Sequence, residues 1–306
     1  MPDQVSLFEV SMRDGLQNEP IVVPTADKIA HLHRLLAAGL TDIEVTSFVR
    51  ADRIPALADA ADVVAALPTD TGARFWALVP NPVGLDRAFS SGIRHICTFL
   101  SSSETHNAKN VNRTVRESVA DLRRVMGTAL DEGMSVRAYV STVFGCPYEG
   151  YVAPEKVRDL VLTMLDLGAQ EVALGDTTGI GTPGQVAALI KLLVDSGAPI
   201  ERLALHTHDT HGMAAANVFA AFNAGIRRFD GSVAGIGGCP YAPGAAGNAA
   251  TEDLVYLFRG LGVETGVDLD RLAIAGHEMA RLLGRELPGR VHRATLGAAV
   301  PARKSA

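Results

Sequence analysis

The chain has 306 residues, of which 47% are hydrophobic and 20% are charged. These proportions exclude an intrinsically disordered protein, and the length allows two average domains or one large α/β barrel. The formal net charge of -6 and the lack of a basic run exclude a nucleic-acid-binding surface, and no apolar run approaches the roughly 18 residues of a membrane span.

Short β-rich runs alternate along the chain with stretches of helical period. The runs are VSLFEV (5–10), DIEVTSF (42–48), ARFWALV (73–79), RHICTFL (94–100), VRAYVSTVF (136–144), EVALGD (171–176), RLALHTHD (202–209) and RRFDGSVAG (227–235). The segments between them are rich in Ala, Leu and Val, and several end in glycine, the residue that most often follows a helix. This alternation is typical of a parallel sheet with crossover helices.

Eight strand–helix units in about 260 residues predict an α/β fold, a closed (β/α)8 TIM barrel. The barrel should cover about residues 5–263, and residues 264–306 should add C-terminal helices that pack on the barrel or on a neighbouring subunit. An open doubly wound sheet is the alternative, but no GxGxxG follows the first strand. No linker or low-complexity stretch divides the chain, so we expect one domain of residues 1–306.

The seventh run ends in HTHDTHG, at the carboxyl end of a barrel strand, where the chemistry of this fold is found. Side chains two residues apart in a strand share a face, so His206 and His208 should point to one place. A single histidine is most often a hydrogen-bonded structural residue, but a pair at this position favours metal binding. His211 lies beyond the strand and is the least certain of the three.

The first run leads into Arg13 and Asp14, at the same end of the barrel. The structural interpretation is a turn with a local ion pair. The functional interpretation is a hard divalent cation, since one carboxylate, neutral imidazoles and an amide oxygen suit Mg²⁺ or Mn²⁺. Zinc is possible, although a structural zinc site normally recruits thiolates.

The segment after the eighth run, residues 235–248, contains five glycines and two prolines, so its backbone can approach a ligand closely. It contains Cys239, whose place in a loop favours reactivity over the usual burial of free cysteine. Asn248 is a candidate ligand, although Asn248 and Glu252 could instead be a helix N-cap and a first-turn acid. Glu44 lies within the second run and Asp176 ends the sixth, and either could support a ligand or Arg13.

Six stretches, taken together and in order, resemble the hydroxymethylglutaryl-CoA lyases, metal-dependent TIM-barrel lyases. They are RDGLQNE (13–19), EVTSFV (44–49), GCPYEG (145–150), LGDTTGIGTPG (174–184), HTHDTHG (206–212) and GGCPYAPGAAGNAATEDLVYL (237–257). The last is the most specific, because it carries the loop cysteine and the asparagine in register. The resemblance spans nearly the whole chain.

The resemblance implies that a divalent cation, Mg²⁺ or Mn²⁺, is bound by Asp14, His206, His208 and Asn248. It also implies catalytic roles for Arg13 and Cys239, with support from Glu44, Asp176 and Glu252. The implied reaction is retro-Claisen cleavage of 3-hydroxy-3-methylglutaryl-CoA to acetyl-CoA and acetoacetate, in leucine degradation or ketone-body formation. The expected partners are an acyl-CoA and further copies of the chain, as a dimer or tetramer, without nucleic acid or membrane.

In this chemistry, the cation would lower the pKa of the substrate's tertiary hydroxyl. His206 or Asp14 would be the base that removes the hydroxyl proton. Arg13 would stabilise the thioester enolate that leaves, and Cys239 would protonate its carbon.

Two stretches depart from the family pattern. Residues 50–56 read RADRIPA where the family typically has a run like SPKWVPQ, which puts Asp52 and Arg53 in place of lysine and tryptophan. His211 stands where the family has tyrosine. Neither change removes a proposed ligand, but both lie near the place where the resemblance puts the acyl group or the CoA arm of the substrate.

The departures leave the exact acyl substrate open, so a lyase for citramalyl-CoA or a longer-branched glutaryl-CoA is the nearest alternative. A 4-hydroxy-2-oxo acid aldolase and a non-catalytic metal-binding barrel are more distant alternatives. Arg13 and Cys239 count against the non-catalytic barrel, because metal binding alone does not require them.

The three cysteines, Cys97, Cys146 and Cys239, are too few for a disulfide scaffold and suit a reducing compartment. The first residues, MPDQ, lead directly into a strand-like run without the features of a secretory signal. We therefore expect a cytoplasmic protein.

Overall fold

The computed structural model describes residues 3–238 and 247–299, and all eight predicted strands are present in it. They are β1 (Ser6–Glu9), β2 (Asp42–Ser47), β3 (Arg74–Leu78), β4 (His95–Ser101), β5 (Ser135–Ser141), β6 (Glu171–Asp176), β7 (Leu203–Thr207) and β8 (Arg228–Gly231). Each strand pairs in parallel with its neighbours in chain order, and β8 pairs with β1, which closes the barrel. The TIM-barrel prediction is confirmed, and the doubly wound sheet is excluded.

Helices follow the strands and cover the outside of the barrel. They are α1 (Thr25–Ala37), α2 (Ala60–Ala65), α3 (Pro82–Ser91), α4 (Glu104–Val111), α5 (Val115–Asp131), α6 (Pro154–Asp166), α7 (Pro183–Asp195), α8 (Ala214–Asn223), α9 (Thr251–Gly260), α10 (Leu269–Leu283) and α11 (Arg290–Ala299). In α5, a capping box of Thr114 and Glu117 starts the helix, and Leu122, Val125 and Ala129 repeat at helical spacing on its buried face.

The C-terminal helices α10 and α11 are present as predicted, and they pack on this chain's own barrel. Helix α10 contacts α1 and α9, and α11 contacts α9 and α10. The Gly289 amide, just before α11, donates to the Ala234 carbonyl, 2.8 Å away, in the segment after β8. In the described parts of the chain, no helix combines the length and the apolar character needed to cross a bilayer.

Apolar and charged side chains together fill the inside of the barrel. Phe8, Trp76 and Tyr139 form a buried cluster with small residues, among them Ala173 and Ala204. These small side chains leave volume for larger neighbours, as the packed interior of such a barrel requires.

Arg137 of β5 occupies part of this interior and is 1% exposed. Its guanidinium carbon lies 4.0 Å from the Phe8 ring centroid and 4.7 Å from that of Tyr139. Arg137 Nη2 donates to Asp230 Oδ1 at 2.5 Å, and its Nε donates to Glu171 Oε1 at 2.5 Å. A buried ionic network therefore joins β5, β6 and β8 across the barrel interior.

Candidate active site

His206 and His208 leave the carboxyl end of β7 side by side, as the strand period predicts. Both are buried, and their ring centroids are 5.3 Å apart. His206 Nδ1 lies 3.1 Å from Asp230 Oδ2, in hydrogen-bond contact. With Nδ1 occupied in this way, Nε2 is the ring nitrogen of His206 that is left for a ligand or a proton.

Arg13 and Asp14 lie in a short π-helical segment, Ser11–Gly15, that follows β1. Arg13 Nη1 donates to Asp14 Oδ1 at 2.6 Å, so the predicted local ion pair is present. Arg13 Nε also donates to Glu44 Oε2 of β2 at 2.7 Å. Glu44 therefore supports Arg13, one of the two partners that the sequence suggested for it.

Asp14, His206 and His208 form one cluster, in which each residue offers a ligand atom and these atoms all lie within 4.8 Å of one another. Asn248 joins it: its Nδ2 donates to Asp14 Oδ2 at 2.9 Å. The Oδ1 atom of Asn248 is buried and has no hydrogen-bond partner among the described residues. Three donors that converge beside an unpartnered amide oxygen fit a divalent cation, so the four residues predicted as ligands come together.

The electrostatics of the cluster also suit a cation. Burial alone would raise the pKa of Asp14, but Arg13, His206 and His208 bring it below its ordinary value. Burial lowers the pKa of His208 to about 4, and the charge of His206 adds to this effect. At neutral pH, Asp14 is thus an anion and His208 is neutral, the forms in which these side chains bind metals.

Asp176, at the end of β6, lies beside the cluster without joining it. Its carboxylate accepts hydrogen bonds from the backbone amides of Ile180 and Gly181, at 3.2 and 3.0 Å. Its backbone oxygen accepts from the His208 amide at 3.3 Å. Burial raises the pKa of Asp176 to about 6, although the hydrogen bonds from these backbone amides act to lower it. The residue shapes the loop after β6, and its catalytic role stays a prediction.

Glu252 lies in the first turn of α9 and is fully buried. Its Oε2 accepts from the Ala234 amide at 2.8 Å, and burial raises its pKa to about 8. The first-turn position is the one that the structural alternative predicted. The companion N-cap prediction for Asn248 is wrong, because α9 begins at Thr251 with Ala250 as its N-cap. Any support that Glu252 gives to catalysis stays a prediction.

Two glycines of the glycine-rich segment have positive φ angles and lie in close contact with neighbouring parts of the chain. Gly237 has a φ of +112°, and a Cβ there would lie 2.5 Å from Asn248 Nδ2. Gly247 has a φ of +96°, and a Cβ there would lie 2.3 Å from the Gly235 carbonyl oxygen. A larger residue at Gly237 would meet the Asn248 side chain, and one at Gly247 would meet the backbone of Gly235 and Gly237. Cys239 lies outside the described residues, so its role stays a prediction.

The other residues of HTHDTHG hold the loop after β7. The Asp209 carboxylate accepts from the Ala214 amide at 3.0 Å and from Arg290 Nη1 of α11 at 2.6 Å. His211 Nδ1 donates to the Gly179 carbonyl at 2.8 Å, which ties this loop to the one after β6. His211 is therefore a bracing residue here, outside the metal cluster.

Asp230 and Arg137 are residues of the site that the sequence analysis missed. Asp230 contacts His206, and Arg137 holds Asp230. A carboxylate that accepts from a ligating histidine fixes the tautomer and the orientation of its ring. The run RRFDGSVAG shows an acidic residue within a predicted strand, but nothing in the sequence shows that Asp230 would face His206 and Arg137.

Replacing Asp230 with asparagine is expected to weaken divalent-metal affinity by about 10- to 100-fold, because a neutral amide, which can also turn its NH2 toward the ring, replaces the carboxylate at His206 Nδ1. Calorimetric titration of folded protein with Mn²⁺ measures this. The matched control is Glu171→Gln, which disturbs the same Arg137 network without touching His206. An equal loss of affinity in both variants would show that only the network matters.

A cavity of about 600 Å³ opens above the cluster. Arg13, Asp14, His206 and His208 lie at its floor, and Arg53 and Lys109, among other residues, line its exposed part. The metal cluster is therefore accessible to a ligand that enters from this end of the barrel.

The comparisons with known proteins agree with this geometry. Residues 4–278 match the HMGL-like family. The chain belongs to this family. A relative named hydroxymethylglutaryl-CoA lyase YngG, from Bacillus subtilis, is 46% identical over 289 residues, which cover 94% of this chain and 96% of the relative. The family resemblance drawn from the motifs is confirmed.

Solved structures give the same result. An HMG-CoA lyase from Pseudomonas aeruginosa aligns with a TM-score of 0.94 and 42% identity, covering 97% of this chain and 99% of that one. An HMG-CoA lyase from Acinetobacter baumannii, in complex with coenzyme A and 3-methylmalate, aligns with a TM-score of 0.90 and 37% identity, covering 99% and 97%. The barrel of this chain therefore has the same fold as these solved lyase structures.

Proposed function

We propose that this chain cleaves 3-hydroxy-3-methylglutaryl-CoA to acetyl-CoA and acetoacetate, in a reaction that requires a divalent cation. The observation that carries the proposal is the convergence of Asp14, His206, His208 and Arg13 on the floor of one cavity. The family membership supports the choice of reaction, because relatives that cover nearly the whole chain are named for it.

Asp14, His206, His208 and Asn248 would hold the cation. When bound, the cation supplies Lewis acidity that lowers the pKa of the substrate's tertiary hydroxyl. We propose Mg²⁺ or Mn²⁺, because carboxylate, imidazole and amide donors suit these ions. The described part of the cluster has no thiolate, which a structural zinc site would normally include.

We assign the removal of the hydroxyl proton to His206 rather than to Asp14. Arg13 stabilises Asp14 as an anion, which makes that carboxylate a weak base. Asp230 beside His206 Nδ1 stabilises the imidazolium that forms when Nε2 takes a proton. Nε2 of His206 cannot hold the cation and take the proton at the same time, so in this role Asp14, His208 and Asn248 would have to hold the cation.

Arg13 would stabilise the thioester enolate that leaves when the carbon–carbon bond breaks. Burial lowers the pKa of a guanidinium, but the carboxylates of Glu44 and Asp14 raise that of Arg13 above its ordinary value. Arg13 is therefore a permanent positive charge held in place before the reaction, which is the condition for strong electrostatic stabilisation. We propose Cys239 as the proton donor to the enolate carbon on the family resemblance alone.

The family resemblance also supports a homo-oligomer, and the sequence composition supports a cytoplasmic location. A single domain of residues 1–306 rests on the absence of a linker. All three stay proposals.

A panel of substrates tests the proposed reaction. We expect cleavage of 3-hydroxy-3-methylglutaryl-CoA that stops after treatment with a chelator and returns with Mg²⁺ or Mn²⁺. Citramalyl-CoA and longer-branched glutaryl-CoA esters serve as competing substrates in the same assay. Turnover of a free 4-hydroxy-2-oxo acid, without cleavage of any CoA thioester, would replace the proposal with the aldolase function.

A further inference from the structure

We propose that Glu9, the last residue of β1, is a positioning residue that sets the distance between Asp14 and Asn248 in the cation cluster. The inference rests on the proposed function and deepens its metal-binding step. Asp14 and Asn248 lie on separate segments, one after β1 and the other between β8 and α9. The Glu9 side chain contacts both of these segments.

Glu9 faces away from the barrel interior. Its neighbours Phe8 and Val10 belong to the cluster inside the barrel, so the strand period turns Glu9 toward the layer between the barrel and its helices. The side chain is fully buried there. A buried carboxylate costs free energy unless donors compensate it, and an apolar residue would fill the same place without this cost. A glutamate at this position therefore indicates a role besides packing.

Three donors from different parts of the chain meet the Glu9 carboxylate. Oε1 accepts from the backbone amides of Ser11 and Val233, at 2.9 and 3.0 Å. Oε2 accepts from the Thr251 hydroxyl at 2.6 Å. Burial raises the pKa of Glu9, whereas these hydrogen bonds act to lower it. The buried carboxylate is thus compensated by the same contacts that join the segments.

The Ser11 contact holds the segment that carries Asp14. Ser11 is the first residue of the short π-helical turn after β1, and Arg13 and Asp14 lie in that turn. The Arg13 amide closes the turn by donating to the Val10 carbonyl at 3.1 Å. A shift of Ser11 would therefore move the Asp14 carboxylate with it.

The other two contacts hold the segment that carries Asn248. Ser232 and Ala250 form a parallel bridge, and Val233 and Thr251 are the residues that follow them in the chain. The carboxylate binds both of these following residues, so it fixes the bridge from the side of β1. Asn248 lies two residues before the bridge and moves with it.

The packing of β8 leaves room for the Thr251 contact. Gly231 lies opposite Glu9 in the pairing of β8 with β1. A Cβ at Gly231 would lie 2.6 Å from Thr251 Oγ1, so a larger residue would push this hydroxyl away from Glu9. The glycine lets the first residue of α9 approach β1.

The result of these contacts is visible in the cation cluster. Asn248 Nδ2 lies 2.9 Å from Asp14 Oδ2, although the two residues belong to segments that are attached to different strands. A binding site works only when its donors are held within about 0.5 Å of the required geometry. One buried side chain that binds both segments supplies this precision.

Calorimetric titration of the folded protein with Mn²⁺ tests the role of Glu9. Glu9→Leu should weaken Mn²⁺ binding by about 10-fold, because it removes the acceptor that joins the two segments. Glu9→Gln should stay within about threefold of the wild type, since its oxygen can accept from the two amides and its NH2 can donate to the Thr251 hydroxyl. A positioning role predicts this rescue, and a role of negative charge does not.

Variants of Thr251 test the same contact from the other side, and they serve if Glu9→Leu does not fold. Thr251→Val removes one of the three donors and should weaken Mn²⁺ binding by about fivefold, whereas Thr251→Ser keeps the hydroxyl and should not. Asp42→Leu is the matched control, because Asp42 is also a buried carboxylate of the barrel. Its donors, Arg74 and Trp76, belong to β3 and not to the segments of the cation cluster. This control should lower stability without changing Mn²⁺ affinity.

Mn²⁺ binding needs no turnover and separates this inference from the proposed function. If Glu9→Leu and Thr251→Val weaken Mn²⁺ binding but the wild type cleaves no CoA thioester, the reaction is wrong and the role of Glu9 stands. If the wild type is active but both variants bind Mn²⁺ normally, or if the wild type binds no Mn²⁺, the role of Glu9 is wrong. A loss as large in Glu9→Gln or in Asp42→Leu as in Glu9→Leu would also overturn it, since the loss would then follow charge or stability and not position.

Discussion

Arg13→Gln is expected to lower kcat by a factor of about 10² to 10³, the usual loss when one preorganised charge or donor is removed from a developing oxyanion. The variant removes the positive charge that lies between Glu44 and Asp14. Affinity for Mn²⁺ should not fall, because loss of a cation beside Asp14 favours another cation there. Steady-state kinetics with saturating Mn²⁺, together with calorimetric titration, measure both quantities.

Two further variants make the Arg13 result interpretable. Arg13→Lys keeps the charge but cannot bond to Glu44 and Asp14 with the same planar geometry, so its kcat should be intermediate. Glu44→Gln keeps Arg13 but removes its buried partner, and should cost less turnover than Arg13→Gln. Parallel loss of metal binding and turnover in Arg13→Gln would mean that Arg13 only orients Asp14.

Arg137→Met should lower the free energy of unfolding by about 3 to 5 kcal/mol, because removal of one partner leaves buried charge uncompensated. Asp230 is 2% exposed and loses both of its bonds to the guanidinium. Glu171 keeps a second partner in Arg228, so the cost falls mainly on Asp230. Urea denaturation monitored by circular dichroism measures the change.

Lys191→Ala is the control for Arg137→Met, since the Lys191–Asp195 pair is exposed and should contribute less than about 1 kcal/mol. The double variant Arg137→Met/Asp230→Asn also removes the charge of Asp230, which Arg137→Met leaves unpaired. It should therefore recover part of the lost free energy of unfolding. A loss of less than about 1 kcal/mol in Arg137→Met would refute the view that this network is a tightly coupled buried group.

The fold and the histidine pair were predictable because their signals are local. Alternation of β-rich runs and helical segments predicts the barrel, and the two-residue period of a strand places His206 beside His208. Asp14 and Asn248 lie far apart in sequence, and the prediction that they share a site came from the family resemblance. The barrel then brings them together through the β1–β8 pairing.

The network beneath the cluster was not predictable in this way. Asp230 precedes Gly231, and an Asp-Gly pair is ordinarily a turn signal. Arg137 lies in an otherwise apolar run, where an arginine suggests a solvent-facing position. Their pairing depends on closure of the barrel, which brings β5 and β8 to one interior. That is a property of packing across the interior, which no local pattern encodes.

The four proposed cation donors are synthesised far apart in time. Asp14 emerges from the ribosome early, but Asn248 follows more than two hundred residues later, after every strand of the barrel. A nascent chain shorter than this has an incomplete site. The proposed site is therefore completed only after all eight strands have been synthesised, and its full set of donors is a property of the finished barrel.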